Sequence, residues 1–143
     1  MNTVPGWPRI SSAVYYERGN EAIDWLCKAF GFEVRLKIDG DDGSLVHSEL
    51  TYGDGLIMVS EKKDRFPWST VPTQAGGVNT QAMMVYVDDL EAHVKRARAA
   101  GAKIMAEPET HDYGDEYWAD RVYECVDLGG HHWWFSQRMK TGK

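Results

Sequence analysis

Val85-Tyr86-Val87-Asp88, with Glu91-Ala92 and then Arg98-Ala99-Ala100-Gly101, echoes an earlier stretch of the same chain: Val14-Tyr15-Tyr16-Glu17, Glu21-Ala22 and Lys28-Ala29-Phe30-Gly31. The first copy carries one extra residue between these anchors. Such a repeat decides the architecture, because each copy must build the same supersecondary unit. Each reads as a strand ending in an acidic residue, then a helix stopped by glycine, which most readily takes the left-handed conformation after a helix. Apolar residues recur at helical spacing in both: Ala22, Ile23, Leu26, Cys27 and Phe30 in the first, Leu90, Val94 and Ala97 in the second. Asn20 is expected to cap the first helix, Asp88 and Glu91 to form a capping box on the second, and His93, at the border of the apolar stripe, to be exposed.

Outward from these helices, strands are expected over residues 33–38, 44–51 and 56–60 in the first copy and 104–106, 122–126 and 132–136 in the second. Turn-forming runs separate them: Asp39-Gly40-Asp41-Asp42-Gly43, Gly53-Asp54-Gly55 and Asp127-Leu128-Gly129-Gly130. The predicted class is α+β, two tandem βαβββ modules over about residues 8–61 and 79–138 of a single domain spanning 1–143. A linker over about 62–78 carries Pro67, Pro72, Gly76 and Gly77. Two such modules can curl their open sheet faces around a cleft for a small molecule.

Composition narrows the function. A net charge of −6 with no Lys/Arg stripe argues against nucleic acid, whose phosphates require a basic footprint. No stretch approaches the roughly 20 apolar residues that cross a bilayer, so no membrane partner is expected. Met1 to Arg9 has neither a basic nor an apolar leader region, which gives a cytoplasmic expectation. Cys27 and Cys125 lack metal-like spacing and read as small core residues. No nucleophile elbow or phosphate-binding glycine loop is present.

The order of elements, with Ala22-Ile23-Asp24-Trp25, Lys28-Ala29-Phe30-Gly31, Val85-Tyr86-Val87-Asp88-Asp89, Ala99-Ala100-Gly101-Ala102 and Asp127-Leu128-Gly129-Gly130-His131, resembles the glyoxalase I / bleomycin-resistance / extradiol-dioxygenase superfamily, the vicinal-oxygen-chelate fold. Within it, His47-Ser48-Glu49-Leu50 and Gly130-His131 before tryptophan are similar to the PhnB-like and bleomycin-resistance-like branch. The resemblance implies a homodimer and, in metal-using members, His and Glu ligands on the first, fourth, fifth and eighth strands. Carried over, those positions are Ser11, Met58, Ala82 and Trp134, none of them an imidazole, carboxylate or thiolate. No metal and no other cofactor is therefore expected there; a divalent ion would have to sit off-pattern.

Alternate residues of a strand share a face. If Met58 and Trp134 face the cleft, His132 and Ser136 join Trp134, and Met84 and Tyr86 join Ala82. Two readings stand for the third strand of each module. Facing inward, His47, Glu49 and Glu124 bring an imidazole and two acids to the cleft, for a cationic ligand, acid–base catalysis or an off-pattern metal; facing outward, the carboxylates are solvated or pair with an arginine such as Arg9 or Arg121. The run from His111 to Arg121 reads as an acidic, aromatic loop whose Tyr113, Tyr117, Trp118 and Arg121 could border a planar ligand, or equally as a plain surface loop. Trp133 is expected in the core. The leading functional expectation is a metal-free binder of an aromatic or cationic metabolite or drug. The alternatives are a lyase, isomerase or dioxygenase using His47, Glu49 and Glu124, and an interaction protein whose cleft is filled by its own side chains.

Overall fold

The computed structural model describes residues 4–142. The first module runs β1 (Ser12–Tyr16), α1 (Gly19–Phe30), β2 (Glu33–Asp39), β3 (Leu45–Tyr52) and β4 (Gly55–Glu61). After a single 3-10 turn at Pro72–Gln74, the second runs β5 (Met83–Tyr86), α2 (Leu90–Ala99), β6 (Lys103–Asp112), β7 (Ala119–Val126) and β8 (His132–Lys140). The sheets have orders β1-β4-β3-β2 and β5-β8-β7-β6, so the repeat read in the sequence is repeated in the topology. In each sheet the first strand pairs parallel with the last, Val14 beside Val59 and Val85 beside Phe135, and the remaining pairs are antiparallel.

The helices form where the apolar stripes predict, with local corrections. α1 buries Ala22, Ile23, Leu26, Ala29 and Phe30 and ends at Gly31 in the left-handed conformation, φ 86°. Its N-cap is Arg18, not Asn20; the Asn20 amide reaches the Gly43 carbonyl instead, and the Glu61 carboxylate accepts the free Gly19 N–H. On α2 the cap falls one residue later than expected: Asp89, not Asp88, accepts from the Ala92 N–H.

His93 is buried at 7% exposure, not exposed, because α2 packs against α1. Its Nε2–H donates to the Phe30 carbonyl at 2.9 Å, leaving Nδ1 to accept from the Tyr123 hydroxyl at 2.6 Å. Arg96 donates to the Lys28 carbonyl and to the Cys27 carbonyl, which also accepts the Gly31 N–H, so an α2 side chain covers the end of α1.

One face of each sheet joins the two helices in a shared core, with Val14, Tyr16, Leu50 and Val59 from the first module and Tyr123, Cys125, Trp133 and Phe135 from the second. Trp133 is fully buried, as expected, and its ring lies 5.2 Å from that of Phe30. Of the cysteines, Cys125 is buried and its thiol pushed up to about 12 by that burial, while Cys27 is only half-buried.

A second tie between the modules is Asp127, in the turn before β8. It accepts from the Tyr16 hydroxyl at 2.5 Å, the Trp133 indole at 3.0 Å and the backbone N–H groups of Gly129 and His131. A Cβ on Gly129 would meet the Tyr16 ring at 2.5 Å, which is why the turn is bare there. Among the described residues, no strand of one sheet pairs with a strand of the other, and no helix is long and apolar enough to cross a membrane.

The second module's strands are longer than the sequence suggests. β6 continues to Asp112 and β7 starts at Ala119, so both ends of the expected loop are ladder, and residues 113–118 form the turn.

Candidate functional site

With one face of each sheet committed to the core, the opposite, outer faces hold the candidate residues. On β3, Ser48 and Leu50 point into the shared core, so His47 and Glu49 lie on the opposite face, the one on which the cleft was expected; on β7, Tyr123 and Cys125 point into the core and Glu124 lies on that same cleft-side face. The carboxylates thus share an equivalent face in the two modules, but their surroundings differ.

Glu49 is buried at 6% exposure. Its Oε2 accepts from His47 Nε2 at 2.8 Å, and its Oε1 lies 3.6 Å from Arg35 Nε. Arg35 is in turn tied to the Gly6 carbonyl and lies over the Trp7 ring, 5.8 Å from its centroid. Glu49 is thus held by His47 and Arg35, while Arg121 pairs with Glu91.

Glu124 lies directly across from Trp134 in the β7–β8 register, and its Oε1 accepts from His132 Nδ1 at 3.2 Å. Trp134 is 45% exposed, with Met84 at 50% and Tyr86 at 43% on the adjacent strand. Ala82, Glu124, His132 and Trp134, with backbone and side chains of residues 77 and 79–81, line a cavity of about 380 Å³. Trp134 therefore forms a wall and does not fill the space.

Farther along the same face, Tyr86 donates to Asp120 at 2.8 Å, and Arg138 bonds both Asp120 at 2.6 Å and the Tyr86 hydroxyl at 2.6 Å. The bonds to Asp120 and then Tyr86 hold the Arg138 guanidinium above its ordinary range. Its guanidinium also lies 5.2 Å from the Tyr86 ring centroid and 5.3 Å from that of Trp118. Trp118 is thereby fixed to the edge of the site, and Tyr113 and Tyr117 pack on it at 5.9 and 6.1 Å. Arg121 instead faces the helix side, bonded to Glu91 at 2.6 Å.

The structure thus gathers Ala82, Glu124, His132 and Trp134 in one cavity and brings Met84, Tyr86 and Trp118 to the same sheet. Ser11 and Met58 belong to the first module, and the Ser11 hydroxyl is buried with no hydrogen-bond partner among the described residues. His47 and Glu49 also stay on the first sheet, apart from Glu124: among the described residues no three His, Cys, Asp or Glu side chains form a metal-holding group. Sequence reasoning missed Asp120, Arg138, Arg35 and Asn79. Extending the strand alternation from Glu124 to Asp120 and from Trp134 to Arg138 would have found the first two.

Comparison with known proteins agrees with this architecture. The model of the family described as the Glyoxalase/Bleomycin resistance protein/Dioxygenase superfamily matches residues 11–135. An uncharacterized protein of Mycobacterium bovis is 29% identical over 135 residues, covering 93% of this chain and 85% of the relative. Among solved structures, TioX from Micromonospora sp. ML1 superposes with a TM-score of 0.69 at 29% identity, covering 91% of this chain and 95% of that one. A glyoxalase/bleomycin resistance protein/dioxygenase from Alicyclobacillus acidocaldarius gives a TM-score of 0.62 at 11% identity, covering 96% of each chain, which is a likeness of fold alone.

Proposed function

This chain belongs to the Glyoxalase/Bleomycin resistance protein/Dioxygenase superfamily, and on that premise we propose that it sequesters an aromatic or cationic small molecule on the outer face of its second sheet without using a metal. The observation that carries this reading is the half-exposed Trp134 indole, which borders an open cavity at a position where metal-using relatives are expected to hold a ligand. The hydroxyl of Ser11, the thioether of Met58, the methyl of Ala82 and the indole of Trp134 do not fit a divalent ion, since none supplies a carboxylate or imidazole donor. What Ala82 and Trp134 supply instead is an apolar surface, extended by Met84 and Tyr86, on which a planar ring can stack.

The opposite wall of the cleft is assigned to a second copy of the chain. Supporting this are the lack of strand pairing between the two sheets and the exposed Leu36, Ile38 and Val46 of the first module, which leave apolar side chains uncovered in a single copy. Size-exclusion chromatography with light scattering should give twice the chain mass.

The test of binding is a thermal-shift screen with planar aromatic and cationic probes. A ligand at a hundredfold excess over its Kd should stabilise the protein by about 2.7 kcal/mol, a shift of several degrees. A shift that disappears in Trp134→Ala supports the reading; a broad panel without any shift counts against it.

An acid–base enzyme of lyase, isomerase or dioxygenase type is the second reading, and the paired imidazoles and carboxylates favour it: His47 with Glu49, His132 with Glu124. Stoichiometric Zn, Ni, Mn or Fe in protein purified without an affinity tag would promote this alternative over the metal-free binder.

A further inference from the structure

We propose that Glu124 is the specificity-determining residue of the Trp134 cavity, and that the ligand is a flat aromatic cation with N–H donors, of the amidinium, guanidinium or protonated amino-heterocycle class. This deepens the binding reading above and rests on it.

Charge balance on the outer faces carries the argument. Glu49 is matched by Arg35 and His47, and Asp120 by Arg138. Glu124 has only His132, which bonds one oxygen, so among the described residues its Oε2 has no partner. No lysine or arginine lines the cavity.

The two side-chain amides of the wall are already engaged. Asn79 accepts from the His132 N–H through Oδ1 and donates to the Gly130 and Gly77 carbonyls, while Gln81 donates to the Ser12 hydroxyl. Glu124 Oε2 is thus the one carboxylate oxygen of the cavity lining without a protein partner among the described residues, and it calls for a donor with positive charge.

Register supplies the geometry. Glu124 and Trp134 are direct cross-strand neighbours, whose Cβ atoms lie about 4.5–5.5 Å apart in such pairs. A ring stacked on the indole thus presents a substituent at its edge to the carboxylate, and His132, by holding Oε1, leaves Oε2 for it. A ligand anion would meet Glu124 without a compensating cation, and a neutral amide would forgo the charge-assisted bond.

The experiment is isothermal titration of the full chain with three isosteric probes: 2-naphthamidinium, neutral 2-naphthamide and anionic 2-naphthoate. The amidinium should bind at least tenfold more tightly than the amide, with the naphthoate weakest, and lose that advantage as salt rises. Glu124→Gln, which keeps an oxygen for His132, should cut amidinium affinity tenfold or more and leave the amide unchanged. Glu124→Asp should retain the amidinium preference in part. Equal binding of amidinium and amide, or a preference unaltered by Glu124→Gln, with all binding still dependent on Trp134, would overturn this inference and leave the binding reading standing. Failure of all three probes to bind would overturn both.

Discussion

The two sheets present the same chemical pair on equivalent faces, an imidazole beside a carboxylate, yet only the second is open. In the first sheet the Glu49 side chain is 8% exposed, sealed by Arg35 and, through Arg35, tied to Gly6 and Trp7; in the second the Glu124 side chain is 32% exposed beside Trp134 and a cavity. The contrast teaches that duplication of a module copies the scaffold's geometry without copying the accessibility of its polar groups. Accessibility is set by what else the chain lays over each face.

Separating the two modules should break this comparison outright. Asp127→Ala strands the Tyr16 hydroxyl, the Trp133 indole and two backbone N–H groups in or beside the shared core, a loss of about 3 kcal/mol or more in urea denaturation. Truncating the open face is next in size: Trp134→Ala should weaken planar ligands by about 1.4 kcal/mol, tenfold, or more, while changing folding stability by under about 0.5 kcal/mol, since the ring is half-exposed. Calorimetric titration and chemical denaturation of the same variant check both halves.

Opening the sealed face sharpens the contrast. Arg35→Gln removes the guanidinium over Glu49, and the expected cost is about 1–2 kcal/mol, with a second, weak site for cationic probes visible as stoichiometry rising toward two per chain. The smallest effect touches neither outer face and serves as their control. Burial holds His93 below its ordinary range, with Arg96 acting in the same direction and the Phe30 carbonyl opposing. As pH falls below about 6.5, the unfolded chain takes up a proton that folded His93 resists, so the stability contributed by the neutral ring is lost on acidification and regained above that pH. Denaturation midpoints across pH 5 to 7.5 should show this slope, and His93→Gln should flatten it.

These effects also mark what was legible in the sequence. The βαβββ repeat was, because the anchors recur together with helix-stopping glycine at Gly31, and so was the burial of Trp133. Local pattern could not reveal that β6 runs through Glu107-Pro108-Glu109, a stretch of poor strand formers that is held by pairing with β7 across register shifts. Nor could it bury His93, whose position depends on α1 arriving beside α2. At the site, Trp134, His132 and Glu124 were accessible to period-two reasoning. The covering of Glu49 by Arg35 and Trp7, and the Asp120–Arg138–Tyr86 cluster, depend on contacts between residues 14 to 52 positions apart, which no spacing rule encodes.

The sheet order also has a consequence for synthesis. β8 is the last strand of the second module in sequence but sits between β5 and β7 in its sheet. Until the ribosome has released residues through Lys140, both β5 and β7 present an unpaired edge, and the face that will carry Trp134 does not exist. A nascent chain stalled before that point is therefore a sticky, two-edged intermediate for which a holdase is the natural guardian, whereas the first module can already close once Glu61 has emerged.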